Sequence, residues 1–171
     1  MAKCLTVYYS RKGENFFPGG IKSVEKGNTA YAAEYIAKAV GADLFEVDTV
    51  KPHAENYRAC CGEAVVEAKS NARPEIKSFV DDITPYDTIF VCYPCWCGTA
   101  PMCIFTFLEH YDLTGKKIVP LCTNEGSGLA NSVADIERSC PGAIIAPGLS
   151  IRGHKCAESE AELAAWAMEN Q

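Results

Sequence analysis

The sequence predicts an α/β domain built on a doubly wound, five-stranded parallel sheet with helices on both faces. Three observations predict it. Residues 4–9 and 88–92 are short β-favouring runs without a charge, the pattern of strands covered on both sides. Between such runs lie segments whose apolar residues recur at helical spacing. The alternation of the two implies right-handed βαβ units, which set helices on both faces of a parallel sheet.

Residues 4–9 give the first strand. The stretch from Ser10 to Asn28 is rich in Gly, Lys and Glu and contains Phe16-Phe17-Pro18-Gly19-Gly20, which predicts a long irregular loop. Ala33, Ile36, Ala37 and Val40 fall at i, i+3, i+4 and i+7, so residues 29–40 form a helix, with Glu34 and Lys38 a weak pair elsewhere on its surface. Residues 44–47 read as a second strand. A helix over 54–70 carries Ala64, Val65 and Ala68 on one face and has ended by Arg73-Pro74. Residues 88–92 are the third strand, after which Thr99 caps a helix with Pro101 in its first turn that runs through Phe105 and Leu108. Residues 117–123 are the fourth strand. Leu129, Val133 and Ile136 keep helical spacing, residues 143–146 form a weak fifth strand, and Ser159-Glu160-Ala161-Glu162 is a capping box opening the last helix.

Composition narrows the function. A chain of 171 residues, 48% of them hydrophobic, suits one domain over 1–171, with an inserted loop at about 13–26. That size buries roughly 70% of the surface of the unfolded chain, so no structural staple is needed. Sixteen basic against 22 acidic residues give a net charge of −6, and no Lys/Arg block occurs. Nucleic acid and anionic membrane surfaces are thereby excluded as partners. Residues 88–108 carry no charge over a length that could span a bilayer, but Pro94, Gly98 and Pro101 break the run into shorter elements. Ten cysteines fall below the density of a disulfide scaffold, and Met1-Ala2-Lys3-Cys4 is not an apolar leader. The expectation is a cytoplasmic protein with mostly free thiols.

In a doubly wound sheet, ligands sit beyond the carboxyl ends of the strands, where strand order reverses. Three loops lie there. The first ends in Gly27-Asn28-Thr29 at a helix N-terminus, which suits a phosphate, although Asn or Thr in that place also serves as a plain cap. The second sets Trp96 between Cys95 and Cys97, before Gly98, in an uncharged stretch where an aromatic face can stack on a flat heterocycle or simply pack in the core. The third, Thr123-Asn124-Glu125-Gly126-Ser127-Gly128, offers backbone donors and hydroxyls or forms an ordinary turn. Cys92-Tyr93-Pro94-Cys95 is formally C-x-x-C, but a zinc site needs paired short spacings, and His53, His110 and His154 are scattered, so no metal is expected. Cys92 and Cys103 read as buried, inert thiols. Cys95 and Cys97 differ, because a loop at a helix N-terminus can lower a thiol pKa.

Taken together, Tyr8-Tyr9-Ser10-Arg11, Gly27-Asn28-Thr29, Tyr93-Pro94-Cys95-Trp96-Cys97-Gly98 and Thr123-Asn124-Glu125-Gly126-Ser127-Gly128 resemble the FMN-binding loops of the flavodoxin family, in the subgroup with a Trp-Gly second loop. The resemblance extends through Asn71-Ala72-Arg73-Pro74, Phe107-Leu108-Glu109, Cys140-Pro141-Gly142-Ala143 and Ile151-Arg152-Gly153. It implies strand order 2-1-3-4-5 with noncovalent FMN at the switch between strands one and three. It also implies that Ser10, Asn28 and Thr29 hold the phosphate, with Arg11 and Ala30 among the cofactor-binding residues. Pro94, Cys95, Trp96, Cys97 and Gly98 would edge the isoalloxazine, and Thr123, Asn124, Glu125, Gly126 and Ser127 would close its other side. Two departures stand out: 14 residues, 13–26, are inserted in the phosphate loop, and Cys97 replaces a second Trp. Closing a longer loop costs only about 0.6 kcal/mol per doubling, so an outward-looping insert still lets Ser10 and Asn28 meet.

The resemblance implies an electron-transfer protein working between redox partners. The alternative is an FMN-dependent NAD(P)H oxidoreductase of the quinone reductase type, using NAD(P)H and a small acceptor, to which Phe16, Phe17, Arg152 and His154 could contribute. A third possibility is a flavodoxin-fold interaction module without catalysis. No catalytic residue is assigned.

Overall fold

The computed structural model describes residues 3–171; the Met1-Ala2 start lies outside them. The five strand positions expected from sequence are all present. β1 (Cys4–Tyr8) pairs in parallel with β4 (Asp43–Glu46) on one side and β5 (Thr88–Pro94) on the other, with Leu5 opposite Asp43 and Cys4 opposite Thr88. β6 (Lys117–Asn124) continues the sheet beside β5, Thr88 facing Lys117. The fifth position differs in detail from the expected single strand. It is shared by β7 (Ile144–Ile145) and β8 (Leu149–Arg152), both parallel to β6. Pro147 has no N–H to donate to a ladder, and the edge strand breaks around Pro147-Gly148. With β7 and β8 sharing that edge, the order is the expected 2-1-3-4-5.

Alternation along the central strands divides the core in two. Leu5, Val7, Ile89 and Val91 point to one face, where they pack with Ile104, Phe107 and Leu108 of α3 (Met102–Leu108) and Ile136 of α4 (Ser132–Ser139). Cys4, Tyr8, Phe90 and Val119 point to the other, against Ile36 of α1 (Asn28–Val40) and Leu163 and Ala167 of α5 (Glu160–Asn170). α2 (Tyr57–Lys69) covers the first face at its edge. Burying both faces of β5 explains why its sequence has no polar alternation.

Four local expectations are corrected. The insert is not irregular: β2 (Gly13–Phe17) and β3 (Gly20–Val24) form an antiparallel hairpin with Phe16 opposite Ile21. Pro18-Gly19 makes its two-residue turn, with Gly19 at φ +94°, where a side chain would be strained. Thr99 does not cap α3. Pro101 occupies that cap, and the Thr99 hydroxyl donates to Asp135 Oδ2 at 2.5 Å. The Ser159 capping box does not form, because its hydroxyl donates to Lys155 O of the preceding turn. The second helix starts at Tyr57, not residue 54, because Asn56 caps it by accepting from Ala59 N–H.

Candidate functional site

The carboxyl ends of β1, β5 and β6 open into a cavity of about 450 Å³, a size typical of small-molecule sites. β1 and β5 flank the point where strand order reverses, so topology alone puts the cavity here.

The first wall comes from the ends of the insert. The hairpin projects while its stem closes, and Gly27 comes so near to Ser10 Oγ and the Arg11 carbonyl that a Cβ there would overlap both. Ser10 Oγ accepts the Ala30 N–H at 3.1 Å, and these two lie behind the helix terminus rather than on the cavity. Asn28, Thr29 and Arg11 face the cavity. Arg11 is held by two carbonyls, donating to Glu14 O (2.8 Å) and Glu55 O (2.7 Å), so its charge is fixed at the rim. Gly27 supplies no side-chain cap to α1, so apart from the Ala30 N–H taken by Ser10 the first turn and its positive end are open to an anion.

The second wall is the loop after β5. Trp96 and Thr99 exchange backbone hydrogen bonds (2.8 and 3.1 Å), and the two residues between them, Cys97 (φ +54°) and Gly98 (φ +79°), are both left-handed. That is a type I′ turn, whose first central position favours Asn, Asp or Gly; here it holds an exposed cysteine. Pro94, Cys95, Trp96 and Cys97 line the cavity, whereas Gly98 turns to a neighbouring depression. Trp96 is only partly free to face a ligand, since it also packs edge-on against Tyr9 (5.2 Å) and His53 (4.9 Å). Trp96 thus packs against the core and also lines the cavity.

The third wall is the loop after β6. Asn124 Oδ1 accepts from Gly126 and Gly128 N–H, both at 3.0 Å, and so shapes the turn from inside. The Thr123 and Thr29 hydroxyls meet at 2.8 Å, joining this wall to the first. Glu125 accepts the His154 N–H at Oε1 (2.8 Å) and lies 2.7 Å from His154 Nδ1 at Oε2. Glu125 is therefore fastened and mostly covered, at 13% side-chain exposure. Asn124, Glu125, Gly126 and Ser127 line the cavity with Thr123.

Of the fourth wall, sequence reasoning named only Phe16, as a contributor to the NAD(P)H-using alternative, and missed the α2 side. Phe16 of the hairpin stacks on Tyr57 at 6.4 Å and 28°, and with Cys60, Cys61, Ala64 and Val65 of α2 it gives the cavity an apolar side. The usable signal was Pro18-Gly19 between two β-favouring runs, a hairpin turn that would have brought Phe16 back over the site. Gly153 was missed too. A Cβ on it would stand 2.7 Å from Asn28 Nδ2 and 3.0 Å from Glu125 Oε1, so the bare glycine lets two cavity side chains approach.

Electrostatics single out one thiol. A hydrogen bond from Cys122 outweighs burial, and with those from the Ser127 hydroxyl and Gly98 N–H it lowers Cys95 to about 6. The same contact and burial drive Cys122 up. Burial raises Cys60 to about 11 and Cys103 to about 12, the inert behaviour expected of core thiols. Among the described residues no group of three or more His, Cys, Asp or Glu could hold a metal ion, and no helix is long and apolar enough to cross a membrane.

A parallel sheet with a cavity at its switch point, walled by strand-end loops, defines the doubly wound class that binds nucleotide cofactors. The model of the flavodoxin family matches residues 23–170. The chain belongs to the flavodoxin family. A candidate flavoprotein from Bacteroides eggerthii is 30% identical, with a TM-score of 0.77 and coverage of 99% of this chain and 98% of that one. Another from Bacteroides uniformis is 26% identical, with a TM-score of 0.79 and coverage of 98% of each. A Lactobacillus acidophilus flavoprotein, solved in complex with FMN, shares the fold at 22% identity, with a TM-score of 0.66 and coverage of 92% of this chain and 98% of that one. A comparison with curated proteins returned no match. FMN is the cofactor of the family, and the residues present suit it: a cation and a helix N-terminus at one end, an indole and backbone turns at the other, and a glycine cradle at Gly153.

Proposed function

We propose that this protein is an FMN-binding electron carrier that passes electrons between redox partners docking over the cavity rim. The observation that carries this reading is the convergence of three strand-end loops on one cavity whose rim ends at an exposed residue, Cys97. When bound, FMN supplies one- and two-electron transfer, and the protein supplies binding, orientation and field.

On this reading, Arg11, Asn28 and Thr29 hold the phosphate, and Ser10 and Ala30 act behind them by fixing the first turn of α1. Trp96, braced by Tyr9 and His53, edges the ring with Pro94, Cys95 and Cys97, and Gly98 permits the turn that places them. Thr123, Asn124, Gly126 and Ser127 close the opposite side. Glu125 holds a negative charge at the cavity, which disfavours added negative charge on a bound ring and lowers its readiness to accept electrons. Exposed Cys61 and Cys97 thiols fit a reducing compartment, and we place the protein in the cytoplasm on that ground.

One observation favours a second reading. The Phe16–Tyr57 stack adds a flat apolar wall that a carrier does not need and that a small aromatic acceptor could use, as in an FMN-dependent NAD(P)H oxidoreductase. The two separate in one assay. The FMN-loaded protein is mixed with NADH or NADPH and a quinone, without any reductase; the carrier gives no turnover, and sustained nicotinamide oxidation by the loaded protein overturns it.

A further inference from the structure

Four thiols of this chain line one cavity from two elements. Cys95 and Cys97 come from the loop after β5, and buried Cys60 and exposed Cys61 come from α2. Cys97 is exposed and sits on the strained left-handed corner of the type I′ turn, where a β-carbon is tolerated only because the Trp96–Thr99 backbone bonds on either side fix the loop. Cys95 lies two residues earlier and half-buried, its own N–H anchored on Thr123 O at 2.9 Å. Two residues of chain separate Cα atoms by at most about 7 Å, so chain connectivity keeps the pair close to the disulfide range of about 4.4–6.8 Å.

We propose that Cys95 and Cys97 form a redox-active dithiol that exchanges with small disulfides entering the mouth of the cavity. Place in the turn and local field together give each thiol its part: Cys95 sits half-buried at the base of the turn and Cys97 exposed at its corner. Cys95, lowered by its Cys122, Ser127 and Gly98 contacts, is the thiolate that attacks. Its sulfur bonds to one sulfur of the disulfide RSSR, the S–S bond breaks, and RS⁻ leaves. The Cys97 thiol then gives up its proton and attacks the Cys95 sulfur, expelling the second RS⁻. One of the two RS⁻ groups takes that proton. Thiolate, thiol and RSSR thus become an intramolecular disulfide, RS⁻ and RSH, with the dithiol oxidised by two electrons and the disulfide reduced by two. Burial raises Cys97, which suits a resolving thiol rather than the attacking one.

The site stands on the thiols and the turn, so it can be tested with or without FMN. Purified protein is incubated with oxidised glutathione at neutral pH, digested and mapped by mass spectrometry. The parent is expected to lose two hydrogens in the peptide holding Cys95 and Cys97 and to retain no glutathione. Cys97→Asn keeps a residue that accepts the left-handed turn, and it should stop at a glutathione adduct on Cys95. In Cys95→Ser, Cys97 should react no faster than exposed Cys61. A stable adduct on Cys95 in the parent, a Cys61–Cys97 crosslink, or labelling of Cys97 with Cys95 untouched overturns the proposal. Visible absorbance after mixing with FMN reports cofactor binding separately, so a protein that fails to bind FMN yet forms the Cys95–Cys97 disulfide refutes only the carrier.

Discussion

The His53 imidazole stands edge-on to the Trp96 indole, 4.9 Å between centroids at 89°, while its Nε2 lies 2.9 Å from Glu67 Oε1. A helix carboxylate is thereby linked, through one ring, to the tryptophan at the cavity. The His53 side chain is only 6% exposed, and its Nδ1 has no hydrogen-bond partner. Glu67→Ala strips the ring of its remaining partner and should cost about 1–3 kcal/mol, read as a lower urea midpoint. The double variant His53→Phe, Glu67→Ala should recover part of the loss, because no ring nitrogen is then left bare. Equal stability of parent and Glu67→Ala would show that the contact does not hold in solution.

Gly27 and Gly62 make a paired test of backbone crowding. A Cβ at Gly27 overlaps Ser10 Oγ and the Arg11 carbonyl, whereas one at Gly62 on α2 meets nothing within 4 Å. Gly27→Ala should destabilise by about 1–3 kcal/mol, as overpacking does. Gly62→Ala should stabilise by about 0.5–1 kcal/mol through helix propensity. Denaturant midpoints of opposite sign check both.

Much of the fold was legible because burial on two sides writes itself into composition. The uncharged runs of β1 and β5 and the spacing of Ala33, Ile36, Ala37 and Val40 place the sheet and the first helix to within a residue or two. The hairpin was not legible as long as Gly, Lys and Glu set its average character. Its strands are half-exposed and pair only with each other, so no apolar run marks them. The Thr99 cap failed because a tertiary partner displaced the local one, Asp135 lying 36 residues away, whereas the Ser159 hydroxyl turned back to Lys155 O four residues earlier. At the site, loop residues were readable as motifs, but the α2 wall and Gly153 reach the cavity only through tertiary packing, which spacing does not encode.

Gly153→Ala tests the site without testing the core. The new Cβ crowds Asn28 Nδ2 and Glu125 Oε1, both cavity side chains, and leaves the sheet untouched. FMN affinity should fall about tenfold, roughly 1.4 kcal/mol, with a nearly unchanged urea midpoint. Fluorimetric FMN titration of a variant that binds as the parent does would remove Gly153 from the cradle.

The Cys95 thiol should carry its own pH signature. Its folded value near 6 lies below that of a free thiol, so the thiolate form favours the folded state; that contribution is complete above about 8.5 and is lost as pH falls through 6. Alkylation of Cys95 by iodoacetamide should be level above pH 7 and decline below 6. At pH 7 it has about 30-fold more thiolate than a free thiol, but roughly tenfold is returned as lower nucleophilicity, leaving a two- to threefold advantage. Ser127→Ala should move the midpoint upward. A midpoint near that of free cysteine in the parent would contradict the assignment.

The most direct test of the account is a titration of apoprotein with FMN, followed by quenching of flavin fluorescence, in the parent and in Asn28→Ala and Trp96→Ala. The account predicts one FMN per chain in the parent and weaker binding in both variants, each of which keeps the parent's circular dichroism. A well-folded parent that leaves FMN fluorescence unchanged, or binding that neither variant weakens, would contradict the placement of FMN between the α1 terminus and the Trp96 loop.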